Sequence, residues 1–318
     1  MRRALVPLVG RRFATAALSL VFVVVAVFAI TSLLPGDATD SVLGQSATPQ
    51  SVQALRHSLH LDRPAPLRFV LWLGGLLHGD FGRSLLNGLP VADMLRPRLH
   101  NSLLLAGASA LLAVPVSLLL GITAAVWRDT LYDRGVTVLT LGLVSVPEFV
   151  IATLAVFVFA TRLHLLPALS DIGGVHTLWQ FLRAFFMPVA SLALVTLAQM
   201  VRMTRAAMVD TLSAPYVEMA RLKGVGPVRL VVVHALPNAV GPVVNAVALS
   251  LSSLLGGVVV IEAVFAYPGV AGLMVDAVTA RDVPTVQACA LVFCLAYLVL
   301  TTLADIVTIA TLPGRRAP

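Results

Sequence analysis

The side chains able to do covalent or ligand chemistry are few, and their spacing excludes most of it. No G-x-x-x-x-G-K-[S/T] run occurs, and the single lysine, Lys223, has no glycine frame before it, so the chain carries no P-loop for ATP. H-E-x-x-H and G-x-S-x-G are also absent, which removes the commonest zinc-peptidase and serine-hydrolase readings. His57-Ser58-Leu59-His60 sets two histidines at i and i+3, a spacing that one helix face can offer to a metal. No carboxylate or thiol stands at ligand spacing beside them, so ordinary surface histidines are expected and no metal. Cys289 and Cys294 are five residues apart in one apolar stretch. On a helix that offset turns the side chains away from each other, so they read as small core residues rather than a disulfide. Glu148 is the one acid in the middle of an apolar stretch, where a carboxylate at bilayer depth costs about 2.5–3.5 kcal/mol. It is either a proton or substrate site, or a group hydrogen-bonded to backbone freed by a break at Pro147; the sequence favours the second.

The elements that position these residues follow from composition. The chain has 318 residues, 58% hydrophobic and only 12% charged, against about 25% charged in soluble domains. Mean hydropathy is +0.95. Disorder needs the opposite balance, and 22 Gly and two Cys exclude collagen-like and disulfide-scaffold classes. An all-α polytopic membrane protein remains, with its charges in loops. The net charge of +7 is therefore assigned to loops flanking spans, and no nucleic acid is expected as a partner.

Six spans are expected. They are Thr15–Leu34, Ser102–Trp127, Gly135–Thr161 (interrupted at Ser145-Val146-Pro147-Glu148), Ala184–Val201, Val240–Ile261 and Val286–Leu312, the last carrying Asp305 near its end. The first is long for a signal sequence and no small-x-small site follows it, so it reads as uncleaved. Residues 35–100 form a polar stretch with a short helix at Val52–Leu61 and an amphipathic one at Leu67–Leu77 carrying Trp72. The chain thus divides into 1–100, a first span with its external loop, and 101–318, five spans with a charged segment at about 207–237. Thirteen basic residues fall in loops on the side of the N-terminus and nine in the longer opposite loops. That bias places both termini in the cytoplasm, 35–100 outside and Arg202–Pro237 inside.

The inside segment is the informative one. Pro215 opens a helix that Gly224 closes, and a second short helix is expected from Pro227 to Ala235, ending before Pro237. Two short helices, polar outside and apolar inside, suit a groove on a soluble partner better than lipid. Here the chain resembles a family. Glu218-Met219-Ala220, Gly224 six residues after the Glu, and Leu236-Pro237 ending thirteen after the Gly are similar to the "EAA" loop of bacterial ABC-importer permeases. Met219 and His234 depart from its usual Ala and Ile while the spacing is kept. Leu34-Pro35-Gly36-Asp37, Leu61-Asp62-Arg63-Pro64, Gly79-Asp80-Phe81-Gly82-Arg83-Ser84 and His234-Ala235-Leu236-Pro237-Asn238-Ala239 resemble the dipeptide, oligopeptide and nickel group, and the long first loop resembles its B-type half.

The resemblance, which covers about residues 10–312, implies the type I ABC importer permease fold with six spans in the bacterial inner membrane. It implies a second, C-type permease subunit, two cytoplasmic ATPases holding ATP and Mg, an external solute-binding protein, and no cofactor or enzymatic step in this chain. Glu218, Met219, Ala220, Gly224, Leu236 and Pro237 would couple to an ATPase. Glu148, Glu262, Pro268, Gly269, Arg281 and Asp282 are the candidates for gate or pathway. Two departures stand out: Leu312-Pro313-Gly314-Arg315 replaces the group's frequent D-P-R ending, and Glu148 occupies a position where a small residue is usual. Peptides are the expected cargo, with nickel, glutathione or another small solute as alternatives. A proton-coupled secondary transporter using Glu148 or Asp305 would require inverted repeats, and none is visible between the halves; an intramembrane enzyme lacks a nucleophile–base pair.

Overall fold

A computed structural model describes residues 2–33, 63–170 and 177–311. Among them the elements are helices, with one isolated bridge between Arg83 and Pro90. In chain order they are α1 (Arg2–Leu33), α2 (Ala65–Leu77), α3 (Val91–Val126), α4 (Leu131–Ser145) and α5 (Glu148–Arg162, π-helical from Val156). There follow α6 (Leu178–Leu212), α7 (Pro215–Leu222), α8 (Pro227–Val264, π-helical over Leu230–Ala235), α9 (Val270–Thr279) and α10 (Val283–Thr311). Five helices are long and apolar enough to cross a membrane, and α4 with α5 makes a sixth candidate bent by 99°. The six expected spans are therefore all present, as is the amphipathic α2. The histidine pair at 57 and 60, the Val52–Leu61 helix and Leu312–Arg315 lie outside the described residues.

Several helices overrun the expected spans. α1 begins at Arg2 rather than Thr15, α3 at Val91 rather than Ser102, and α6 continues past Arg202 to Leu212. Charge ends the part of a helix that lipid accepts, but Arg is a good helix former and does not end the helix itself. The second short helix does not stop before Pro237. It runs on through the proline into α8, because a π-helical stretch, Leu230–Ala235, immediately precedes it. That stretch puts Pro237 in the first turn of the following α-helical part, where a missing N–H costs nothing. The His234 carbonyl accepts from Asn238 Nδ2 at 2.8 Å. At the third span, Val146 and Pro147 are extended, and Ser145 Oγ donates back to the Leu141 carbonyl at 2.8 Å.

The chain divides into two compact units: Met1–Ala16 with Leu104–Tyr267 and Tyr297–Pro318, and Ala17–Leu103 with Pro268–Ala296. In the first, the largest core gathers Leu105, Ala152, Phe185, Leu192, Val258 and Tyr267, with Phe181 stacked on Phe185 at 5.0 Å. Close approach of α3 and α6 depends on Gly121, since a Cβ there would lie 2.8 Å from Thr204 Cβ and 3.0 Å from the Val201 carbonyl oxygen. Small residues at such crossings are how membrane helices gain packing without a hydrophobic driving force. Arg12 pairs with Asp305 at 3.2 Å. In the second unit Val91, Leu95, Val270, Leu273 and Cys289 make the core, and Phe28, Phe69 and Trp72 cluster between α1 and α2. Cys289 is fully buried, Cys294 is partly buried, and neither is in a disulfide.

Candidate functional site

The segment at 213–230 is built by local rules. Ala214 is extended, Pro215 takes the first helical position, and α7 runs two turns. Gly224 has φ +82°, its N–H donates to the Arg221 carbonyl at 3.0 Å, and the Val225 N–H reaches the Ala220 carbonyl at 3.2 Å. These two bonds form a Schellman cap, completed by Val225 packing against Ala220. Val217 and Ala220 are buried with Leu230, so one face of α7 is fastened to the start of α8. The other face is open: Tyr216, Met219 and Leu222 are 47%, 54% and 77% exposed, and Glu218 is exposed beside them. Among the described residues Glu218 makes no ion pair, so the Arg221 partner available by spacing is not taken. A cavity of about 490 Å³ next to α7 is lined by Glu218, Arg221, Arg128, Ser213, Pro227 and Leu230, among others. Leu236 is partly buried and Pro237 exposed, both one π-helical stretch further along α8.

Behind α7, a clamp joins α4 to α6. Arg205 donates from Nε to Asp133 Oδ1 at 2.5 Å and from Nη2 to Oδ2 at 2.7 Å. Asp133 is buried and also accepts the Asp129 N–H at 3.0 Å. Bidentate geometry with an added backbone donor is what makes a buried carboxylate tolerable. Seventy-two residues separate Asp133 from Arg205, and no local pattern signals the pair.

The gate or pathway candidates after Glu148 are divided between the units. Glu262 lies in the first, buried, with its carbonyl accepting the Tyr267 N–H at 2.9 Å. Burial and the adjacent Glu262 charge push the Tyr267 phenol above its usual range, so it stays protonated. Pro268, Gly269, Arg281 and Asp282 lie in the second unit. Asn101 Nδ2 donates to the Pro268 carbonyl at 2.8 Å, and Gly269 caps α9. Arg281 is exposed at φ +56°. Asp282 is 1% exposed, and its carboxylate collects Ser84 Oγ at 2.5 Å, Thr285 Oγ1 at 2.7 Å and the Leu85 N–H at 3.0 Å. Ser84 belongs to the turn that follows α2, where Asp80 Oδ1 accepts the Gly82 N–H and Ser84 N donates to the Leu89 carbonyl. Asp282 was legible as a candidate; its partner Ser84, 198 residues earlier, was legible only as part of a motif.

Two matches cover nearly all of this chain. Residues 117–314 match the binding-protein-dependent transport system inner membrane component family, and residues 5–96 match the N-terminal region of such membrane components. The chain belongs to this family. It is an ABC importer permease and an integral membrane protein, of a family of transport permeases that work with partner subunits. It is 36% identical over 299 residues to a putative peptide transport system permease protein of Brucella abortus, covering 94% of this chain and 95% of that one. It is equally 36% identical, over 298 residues with 94% and 95% covered, to the glutathione transport system permease protein GsiC of Escherichia coli K12. The permease's Glu148 stands at the elbow between α4 and α5, partly buried. The hydrogen bond to backbone freed by the break, expected as its plainer role, is not formed among the described residues. No group of three or more His, Cys, Asp or Glu fit for a metal occurs among the described residues.

Proposed function

We propose that this permease forms half of the translocation pathway for di- and oligopeptides delivered by an external solute-binding protein. The other half is a C-type permease subunit, and two cytoplasmic ATPases hold the ATP and Mg whose hydrolysis drives import. The observation that carries the reading is the open face of α7. A two-turn helix anchored by Val217 and Ala220 presents Tyr216, Met219 and Leu222, all exposed among the described residues. An isolated helix this short does not persist on propensity, so the cap at Gly224 and the anchoring side are there to present that face. Grooves that receive such helices read i, i+3, i+4-type anchors, and 216, 219 and 222 fall at successive steps of three. Glu218, Ala220 and Gly224 set and orient this surface, with Leu236 and Pro237 joining it to α8.

Both termini then lie in the cytoplasm with α7, while Pro268, Gly269, Arg281 and Asp282 lie outside, where with Glu262 they serve docking and gating. The peptide assignment leans on the Brucella relative's name. Glutathione is the second reading, because the E. coli relative is equally similar. Purification of the tagged permease from its native host should bring two ATPases, a second permease and a binding protein. The reconstituted complex should take up labelled dialanine in an ATP-dependent way. Thiol labelling should reach Thr279→Cys from outside and Ser213→Cys only from inside. Purification without an ATPase overturns the importer assembly; uptake of glutathione but not dialanine selects the second cargo.

A further inference from the structure

Glu148 lies seventeen residues after Leu131 and fourteen before Arg162, near the middle of the bent pair that makes the third span. Two helices of the same unit close on it. A Cβ added to Gly257 of α8 would stand 2.7 Å from Glu148 Oε2 and 2.8 Å from Leu192 Cδ1 of α6. The carboxylate thus rests against bare backbone, in space that any side chain at 257 would take. That backbone gives it nothing, since Gly257 is inside α8 and its N–H is committed to the helix. The neighbouring Gly256 is exposed with open space where its Cβ would be. Among the described residues no basic side chain pairs with Glu148.

A carboxylate at this depth does not face lipid without heavy cost; it faces a water-filled cavity or a cation. A structural acid at a helix break would spend itself on the freed backbone, and this one does not. The geometry points to Glu148 as a subsite for a cationic group of the cargo, the protonated amino group of a peptide, with Gly257 reserving the room for the carboxylate. An ammonium carries three donors and a full charge, and two carboxylate oxygens receive it as charge-assisted hydrogen bonds. One such contact, with apolar Leu192 beside it, orients a peptide without holding it so tightly that it cannot leave.

The subsite rests on the peptide reading above, and the test separates the two. The complete complex, reconstituted in proteoliposomes with its binding protein, is assayed for ATP-dependent uptake of dialanine and N-acetyl-dialanine. The variants are Glu148→Gln, Glu148→Asp and Gly257→Ala. The binding protein's own preference is the same in every preparation and cancels in the ratio of the two rates. Glu148→Gln should lower the dialanine to N-acetyl-dialanine ratio about tenfold, the size of one lost charge-assisted hydrogen bond. Gly257→Ala should lower it in the same direction, and Glu148→Asp should keep most of it. A merely structural role would slow both probes together; an unchanged ratio in Glu148→Gln overturns the subsite alone. Uptake of neither probe by the wild type overturns the peptide reading and the subsite with it. A cargo-independent check uses Glu148→Cys with Cys289 and Cys294 replaced by alanine. Reaction with a cationic thiosulfonate shows that position 148 is open to a cation from water and supports the subsite, and absence of reaction overturns it.

Discussion

The turn at Gly224 and the hub at Asp282 are built in opposite ways. Around Gly224 the stabilising contacts come from one short segment, 212–230: Ala220 to Val225, Arg221 to Gly224, Val217 to Leu230. The surface it presents is exposed. At Asp282 two of the three donors come from Ser84 and Leu85, nearly two hundred residues away, and the carboxylate is sealed from solvent. A surface that meets a partner can be specified locally, because its energy is realised in the complex. A buried charge must be satisfied inside the chain at once, because each unpaired donor left behind costs about 1–3 kcal/mol.

Mutation should separate the two sharply. Asp282→Ala strands Ser84 Oγ, Thr285 Oγ1 and the Leu85 N–H together, and should cost about 3 kcal/mol or more. It should appear as a lower Tm of the detergent-purified complex and poor accumulation in the membrane. A Tm within a degree of wild type would break the comparison. Asp133→Asn should follow at about 2–3 kcal/mol, below the range for fully buried pairs because the Arg205 side chain keeps 27% exposure. The exchange Asp133→Arg with Arg205→Asp should restore only part of the loss, since the Asp129 N–H would still lack its acceptor; full restoration of Tm would show that the backbone bond is idle.

Effects on the turn should be smaller in stability and larger in assembly. Gly224→Ala meets no atom within 4 Å, so it costs only the left-handed backbone conformation, about 1 kcal/mol. Because that energy holds the angle of α7, recruitment of ATPase should fall while Tm barely moves. Met219→Ser should be the mildest, within about 0.5 kcal/mol for an exposed position, yet it should still weaken ATPase retention on a size-exclusion column. If Met219→Ser and Gly224→Ala both retain full ATPase, α7 is not the coupling surface.

The same contrast explains what could be read in advance. Ala214-Pro215 and Gly224 are start and stop signals that act over one turn, so α7 was legible to within a residue or two. The second short helix was misread at Pro237, because a π-helical stretch is a change of hydrogen-bond register that leaves no mark in residue types. α3 and α6 were drawn too short because hydropathy reports where lipid is tolerated and says little about where a helix ends. Asp133 and Arg205 carry no local signal of each other, and only packing of α4 on α6 makes them a clamp.

Composition and the apolar stretches between charged loops determined by themselves that the chain lives in a membrane with five to six apolar crossings. The reason is that burial of backbone in lipid leaves helices as the form such segments can take. Local spacing determined the capped helix at 215–224 for the same kind of reason, since its hydrogen bonds close within the segment. Only the tertiary structure decided that Glu148 lies against Gly257, that Asp133 holds Arg205 and that Asp282 gathers Ser84 and Thr285. Thr285 apart, each of those partners is far away in sequence, and which side chains meet is set by packing: by where a missing Cβ lets two helices approach and where it leaves room for a charge.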